Sequence, residues 1–224
     1  MKRAVVIVAG GSGRRMGGEI PKQYQEMEGK PIIIHTLEQL KRFDPDMDVV
    51  VVLAHEHLNL WEAVAITLSD ISRIRLATGG VTRFHSVRNG IQLIENDVVV
   101  GIHDAVRPFV SMETLERCYS TAYKSGSAIP VIDMDESVRL VKGENSSVHM
   151  DRSALKRVQT PQVFQSEMIR EAYNNSEDHS FTDDASVFES HFGKVTLVEG
   201  NRQNIKITTP TDMQLASLFS RSAE

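Results

Sequence analysis

Ala4-Val5-Val6-Ile7-Val8-Ala9-Gly10-Gly11-Ser12-Gly13-Arg14-Arg15-Met16, followed by Pro21-Lys22-Gln23-Tyr24, is the stretch from which the rest of the chain is read. The unbroken apolar run from Ala4 to Ala9 suits a strand covered on both faces, as in a parallel sheet. It breaks into a glycine-rich turn, where missing side chains let backbone N–H groups approach an anion. Arg14 and Arg15 follow, and Lys22 stands just beyond Pro21. The stretch can therefore build a triphosphate cradle from loop amides, guanidinium forks and an ammonium point charge. The glycines alone would serve a tight strand-to-helix connection equally well. No Gly-Lys-Ser/Thr follows, so this is not a Walker loop, and the third glycine of a dinucleotide fingerprint is missing.

Outward from this stretch, strands and helices alternate. Helical spacing runs from Pro31 to Phe43, and Asp48 to Leu53 is a second buried strand. Glu56 to Leu68 reads as a helix packed through Trp61. Arg73 to Ala77 is a short strand that ends in Thr78-Gly79-Gly80-Val81-Thr82-Arg83-Phe84-His85-Ser86-Val87, which feeds a helix to Glu95. Asp97 to Ile102 is another strand, running into His103-Asp104-Ala105-Val106-Arg107-Pro108. Helix Met112 to Lys124 and strand Ser127 to Ile132 follow. Such alternation predicts an α/β fold: a Rossmann-like, mostly parallel sheet sandwiched by helices. The 224 residues, 41% of them hydrophobic, fit a single domain over 1–224.

A net charge of -5 argues against a nucleic-acid partner, and no apolar run approaches a membrane span. Cys118 is the only cysteine, which excludes an internal disulfide framework and fits a cytoplasmic protein. Its neighbours Leu115, Tyr119 and Ala122 mark it as a core residue on a helix face. His103 reads as structural, and no zinc spacing or nucleophile–histidine arrangement is legible.

From Asp133 the pattern changes. Asp135 to Val141 and Ser147 to Arg152 flank a turn-rich segment and predict a β-hairpin arm within 133–156, suited to dimerisation. A surface loop is the alternative. The chain returns through Val158 to Phe164, a helix over Gln165 to Asn174, and Thr182-Asp183-Asp184-Ala185-Ser186, a helix start with Thr182 as N-cap. Lys194 to Glu199 is a strand. Lys206 then stands in a strand-like apolar run, and Pro210 opens the last helix.

Ligands of such sheets bind beyond the carboxyl ends of the strands. Gly10–Lys22, Gly79–Ser86 and Asp104–Arg107 occupy three such ends, which predicts one nucleotide crevice. Gly79, Gly80 and Ser86 could contact a base. Asp104 suits Mg²⁺ between phosphates, or else a turn cap partnered by Arg107. Lys206 could bind a second phosphate or simply snorkel.

Ala9-Gly10-Gly11-Ser12-Gly13-Arg14-Arg15-Met16, Pro21-Lys22-Gln23-Tyr24, Gly79-Gly80-x-x-Arg83-x-x-Ser86-Val87, His103-Asp104-Ala105-Val106-Arg107-Pro108, Thr160-Pro161-Gln162, Thr182-Asp183-Asp184-Ala185-Ser186 and Asn204-Ile205-Lys206 occur in that order. In these motifs the chain resembles the 2-C-methyl-D-erythritol 4-phosphate cytidylyltransferase family of the non-mevalonate isoprenoid pathway. The resemblance covers essentially the whole length. It implies a homodimer that joins CTP to a sugar-alcohol phosphate, with Mg²⁺ or another divalent cation as cofactor. By motif, Ala9, Gly10, Gly11, Gly13, Arg15 and Lys22 hold the triphosphate side, and Gly80 and Ser86 face the cytosine. Asp104 and Ala105 lie by the ribose and the metal, with Asp104 the metal ligand. Ser137 and Arg152 on the arm meet the acceptor phosphate from the neighbouring subunit, and Thr160, Thr182 and Lys206 complete that site. Arg15, Lys22, Arg152 and Lys206 are the catalytic set. The chain departs from the family's usual pattern at Gly10, Val81 and Ser137. The close relative ribitol-5-phosphate cytidylyltransferase, and a CTP-binding regulator without turnover, are the competing readings.

Overall fold

The computed structural model describes residues 1–11, 20–68 and 73–221. In order, the chain forms β1 (Lys2–Val8), a 3₁₀ turn at Lys22–Tyr24, the short ribbon β2 (Glu26–Met27) and β3 (Lys30–Pro31), and α1 (Ile32–Phe43). Then come β4 (Asp48–Leu53), a 3₁₀ turn at His55–His57, α2 (Leu58–Ala65), β5 (Ile74–Thr78) and α3 (Arg83–Ile91). β6 (Val98–Asp104), α4 (Met112–Ser125) and β7 (Ser127–Asp133) follow. β8 (Val138–Gly143) and β9 (Ser146–Met150) form the hairpin, and β10 (Lys156–Val158), β11 (Gln162–Gln165) and α5 (Ser166–Asn175) return to the body. α6 (Asp184–Phe192), β12 (Leu197–Glu199) and α7 (Pro210–Arg221) end it.

β1 lies between β4 and β6, parallel to both, and β5 continues the parallel set beyond β4. β11 runs antiparallel between β6 and β7, β10 also pairs antiparallel with β7, and β12 lies parallel to β7. The sheet is thus mainly parallel and flanked by helices on both faces. The apolar run of β1 has a direct cause: its odd and even residues point into different cores. Val5 and Ile7 pack with Ile33, Leu37 and Leu40 of α1 and with Leu115 and Tyr119 of α4. Ala4 and Val6 pack with Phe84, Val87 and Ile91 of α3 and with Ile169 and Tyr173 of α5. Cys118 is fully buried in the first of these cores, and burial pushes its thiol up to about 12.

Close approach explains one glycine inside a helix. A Cβ on Gly90 would lie 2.6 Å from Val6 Cγ1 and 2.8 Å from Val52 Cγ2, so α3 could not seat on the sheet with a larger residue there.

Several boundaries differ from the sequence expectation. The helix expected over 56–68 begins with a 3₁₀ turn and is helical only over Leu58–Ala65, and α3 stops at Ile91 rather than Glu95. Thr182 does not cap α6. Asp183 does, because its extended backbone puts Oδ1 3.1 Å from the Ser186 amide, where it accepts the hydrogen bond. Lys206 lies in an extended segment outside any strand, since Ile207 N–H turns to Val106 O instead of a sheet partner. The hairpin forms as expected, with β8 and β9 paired antiparallel as a separate two-stranded sheet. Among the described residues no helix is long and apolar enough to cross a membrane.

Candidate functional site

The carboxyl ends of β1, β5 and β6 open onto one crevice of roughly 260 Å³, near the lower end of the ~300–1,000 Å³ typical of small-molecule sites. Ala9, Gly10, Gly11, Lys22, Gly80, Ser86, Asp104, Ala105 and Lys206 all line it. These residues come from the opening loop, the second glycine turn and the end of β6, the three segments expected to converge, and from the segment before α7, where the sequence left the place of Lys206 open. Gly13 and Arg15 lie outside the described residues. Ser137 and Arg152 do not line the crevice of their own chain; both are exposed, and Arg152 donates to the Asp135 carbonyl near the base of the hairpin. Thr182 is exposed at the start of α6.

The opening loop is held from below. Ala9 N–H donates to Val52 O at 2.9 Å, and Gln23 Nε2 donates to Ala9 O at 2.6 Å and to Gly11 O at 3.3 Å. Gln23 and Tyr24 are buried, so the turn that begins with Lys22 is anchored in the core. This fixes the backbone of Lys22 at the crevice edge.

The facing wall is the Gly79–Ser86 turn. Gly80 N–H donates to Ser86 Oγ at 3.0 Å, and Ser86 Oγ donates to Thr82 O at 3.0 Å. The Ser86 hydroxyl therefore shapes the loop as well as lining the site. A Cβ on Gly80 would sit 2.3 Å from His85 Cβ, so this position admits no side chain. Val81 stands 96% exposed at the rim.

Asp104 forms the floor. Its Oδ2 accepts from Arg107 Nε at 3.1 Å and pairs with Lys206 Nζ at 3.0 Å. Burial would raise this carboxyl, but the charges of Lys206, Arg107 and Arg83 outweigh burial and hold it well below the usual carboxylate range. The expected Arg107 partner is thus present, as an ion pair rather than a cap, together with a second cation that sequence spacing could not supply.

Beneath the floor, Asp104 N–H donates to Thr160 Oγ1 at 3.1 Å, and Thr160 Oγ1 meets His103 Nδ1 at 3.0 Å. Arg107 O can only accept, so Nε2 carries a proton and donates to it at 3.1 Å. In the neutral ring Nδ1 then accepts from the threonine hydroxyl. Burial lowers the His103 pKa to about 4, in agreement. His103 is structural, as expected, and Thr160 is buried under Asp104 rather than lining the crevice.

Two features escaped the sequence reading. Arg83 lines the crevice, and its NH1 and NH2 donate to Asp184 Oδ1 and Oδ2 at 2.8 and 2.7 Å. Asp184 is fully buried, and Tyr173 O–H donates to its Oδ1 at 2.7 Å. Burial works against the Arg83 charge, but the Asp184 carboxylate more than compensates and raises its pKa. The second feature is Gln162, whose Oε1 accepts from the Asp184 and Ala185 amides while Nε2 donates to Asp183. Both residues stood inside quoted motifs, but nothing local in the sequence pairs position 83 with position 184.

Among the described residues the site has one carboxylate, flanked by cations, and glycine-lined backbone. No group of three or more His, Cys, Asp or Glu is placed to hold a metal ion among the described residues. The described residues alone do not make a cage for a hard cation here. One carried by substrate phosphates and Asp104 fits, because Mg²⁺ favours one or two carboxylates plus phosphate oxygens.

The family model described as 2-C-methyl-D-erythritol 4-phosphate cytidylyltransferase matches residues 3–222. Proteins of that name from Bacteroides fragilis and Phocaeicola vulgatus are similar throughout. The first is 48% identical over 97% of this chain and 99% of its own, and the second 45% identical over 98% and 100%. Among solved structures, the 4-diphosphocytidyl-2C-methyl-D-erythritol synthase of Anaerococcus prevotii superposes with a TM-score of 0.83 at 26% identity, covering 98% of this chain and 96% of that one. The 2-C-methyl-D-erythritol 4-phosphate cytidylyltransferase of Francisella tularensis gives 0.79 at 32% identity, covering 97% and 99%.

Proposed function

The chain belongs to the 2-C-methyl-D-erythritol 4-phosphate cytidylyltransferase family, and from that premise we propose how its residues divide the work. The enzyme is a nucleotidyltransferase of isoprenoid biosynthesis. It joins CTP to 2-C-methyl-D-erythritol 4-phosphate, giving 4-diphosphocytidyl-2-C-methyl-D-erythritol and pyrophosphate. The observation that carries the residue assignment is the meeting of the opening glycine loop, the Gly79–Ser86 turn, Asp104 and Lys206 around one crevice.

In this reading the loop amides of Ala9 to Gly11, with Lys22, take the triphosphate; Gly13 and Arg15 are assigned by motif alone. Gly80 and Ser86 face the cytosine, and Asp104 and Ala105 the ribose. An oxygen of the acceptor phosphate attacks the α-phosphorus, forming one O–P bond as the bond to the β-phosphate oxygen breaks and pyrophosphate leaves. Lys22, Arg15 and Lys206 offset the charge that develops. No general base is needed, because a phosphate monoester is largely ionised at neutral pH. Asp104 would hold a divalent cation together with the phosphates. When bound, that ion neutralises phosphate charge and orients the leaving group.

The acceptor half is completed by a second copy of the chain. The hairpin pairs only with itself among the described residues and exposes Leu140, Val141 and Val148. Segment 133–156 then acts as a dimerisation arm of a single domain, bringing Ser137 and Arg152 to the neighbour's crevice beside Thr182 and Lys206. Thr160 serves from below by fixing Asp104. The lone, buried Cys118 suits a cytoplasmic protein.

The test is pyrophosphate release with CTP and Mg²⁺, offered 2-C-methyl-D-erythritol 4-phosphate or ribitol 5-phosphate. Release with the first is expected. Release with ribitol 5-phosphate alone would overturn the acceptor assignment.

A further inference from the structure

A guanidinium paired with a fully buried carboxylate is an expensive way to build a wall. Burying two charges costs more than packing apolar groups of the same size, so such a pair adds little stability of its own. Arg83 and Asp184 form such a pair at the edge of the crevice. The Asp184 side chain has no exposed surface, whereas 24% of the Arg83 side chain is exposed. Three further contacts immobilise the carboxylate and its loop: Tyr173 O–H on Oδ1, and Gln162 Oε1 on the Asp184 and Ala185 amides. The anchor is over-determined, and the guanidinium is what it presents to the site.

Arg83 has donors to spare. Among the described residues its hydrogen-bond partners are the two Asp184 oxygens alone. Of the five N–H groups on a guanidinium, two are spent on Asp184 and three remain, held in a fixed plane. Arg83 lines the crevice with Asp104 and Lys206, and through Asp184 it is tied to the start of α6, next to Thr182. It thus stands where the nucleotide wall meets the acceptor side, and a planar fork of donors there suits a phosphate dianion.

We infer that Arg83, clamped by Asp184, Tyr173 and Gln162, is a binding contact for the phosphate of the acceptor, working with Lys206. This rests on the cytidylyltransferase reading. The Asp184–Tyr173 pair positions the guanidinium and does not touch substrate.

Steady-state kinetics with varied CTP and varied 2-C-methyl-D-erythritol 4-phosphate test it, on the wild type, Arg83→Lys and Tyr173→Phe. Lysine keeps the charge beside Asp184 but cannot form the fork. Arg83→Lys should raise the acceptor KM roughly 10- to 100-fold, the loss of one charge-assisted contact, with the KM for CTP within about twofold. Tyr173→Phe should raise the acceptor KM several-fold, with the same bias. An unchanged acceptor KM in Arg83→Lys, or an equal rise for both substrates, overturns the inference. If circular dichroism shows Arg83→Lys misfolded, Tyr173→Phe decides alone, and an unbiased or absent effect overturns it. A wild type that releases no pyrophosphate would instead remove the underlying reading, so the two failures are distinct.

Discussion

The crevice and the hairpin use charge in opposite ways. At the crevice and behind its wall, Asp104 and Asp184 are buried, and each carries fixed partners: Lys206 and Arg107 for one, Arg83 and Tyr173 for the other. Around the hairpin, Arg139 bonds to Ser147, Arg152 to the Asp135 carbonyl and Arg202 to Asp135, all at exposed positions. Buried charges must be paired to exist at all, so their geometry is rigid and any single loss is costly. Exposed pairs contribute about 0–1 kcal/mol and can exchange partners freely. A reaction that must stabilise charge at a fixed point draws on the first kind. An exposed hairpin can be built from the second.

The sharpest way to break this contrast is at Lys22. Lys22→Ala should lower kcat by roughly 10²–10³, the usual loss for one transition-state charge contact, while the melting temperature stays near that of the wild type. Turnover close to wild type would mean that the crevice does not carry the reaction.

The buried floor should also show in the pH dependence of stability. His103 is held neutral, with its pKa lowered to about 4 by burial. Unfolded, a histidine titrates near 6.5, so between those values the unfolded chain binds more protons and stability falls as pH drops. The contribution is complete above about pH 6.5 and is lost by about pH 4, amounting to roughly 3 kcal/mol over that window. Asp104, with its lowered pKa, adds a further loss only below the ordinary carboxylate range. Urea midpoints measured from pH 7.5 to 4 for the wild type and His103→Asn should diverge at neutral pH and converge in acid; parallel curves would contradict a neutral buried histidine.

The arm should respond differently. Arg152→Ala is expected to raise the acceptor KM about tenfold, the loss of one charged contact, with little change for CTP. Equal effects on both substrates would detach the arm from the acceptor half. Smallest of all on folding should be Val141→Ser at an exposed position: unfolding free energy within about 0.5 kcal/mol of wild type, but a weaker dimer in analytical ultracentrifugation. A large loss of stability within the monomer would mean that the hairpin is part of the body's core.

Much of the fold was legible because each β-strand of the parallel set is bounded by sharp changes in composition. β4 spans Asp48–Leu53, as its run of valines required, and the end of β1 is announced by Gly10. Helix ends were harder, since a cap is decided by which oxygen reaches a free amide. At α6 that oxygen belongs to Asp183, one residue beyond Thr182, and both are competent cap residues by type. In the site, glycines and charged residues at strand ends stood out by position. The Arg83–Asp184 and Asp104–Lys206 pairs did not, because nothing local in the sequence brings together residues a hundred positions apart.

The sequence alone determined the alternation of strands and helices and marked the glycine turns and charged residues at the strand ends, because each follows from periodicity and turn chemistry within a dozen residues. Only the tertiary structure decided which cation faces which carboxylate, that Thr160 supports the floor from below, and that Ser137 and Arg152 stand apart from their own crevice. Those contacts depend on where the sheet register and helix packing place side chains in space, and burial then makes each pairing obligatory.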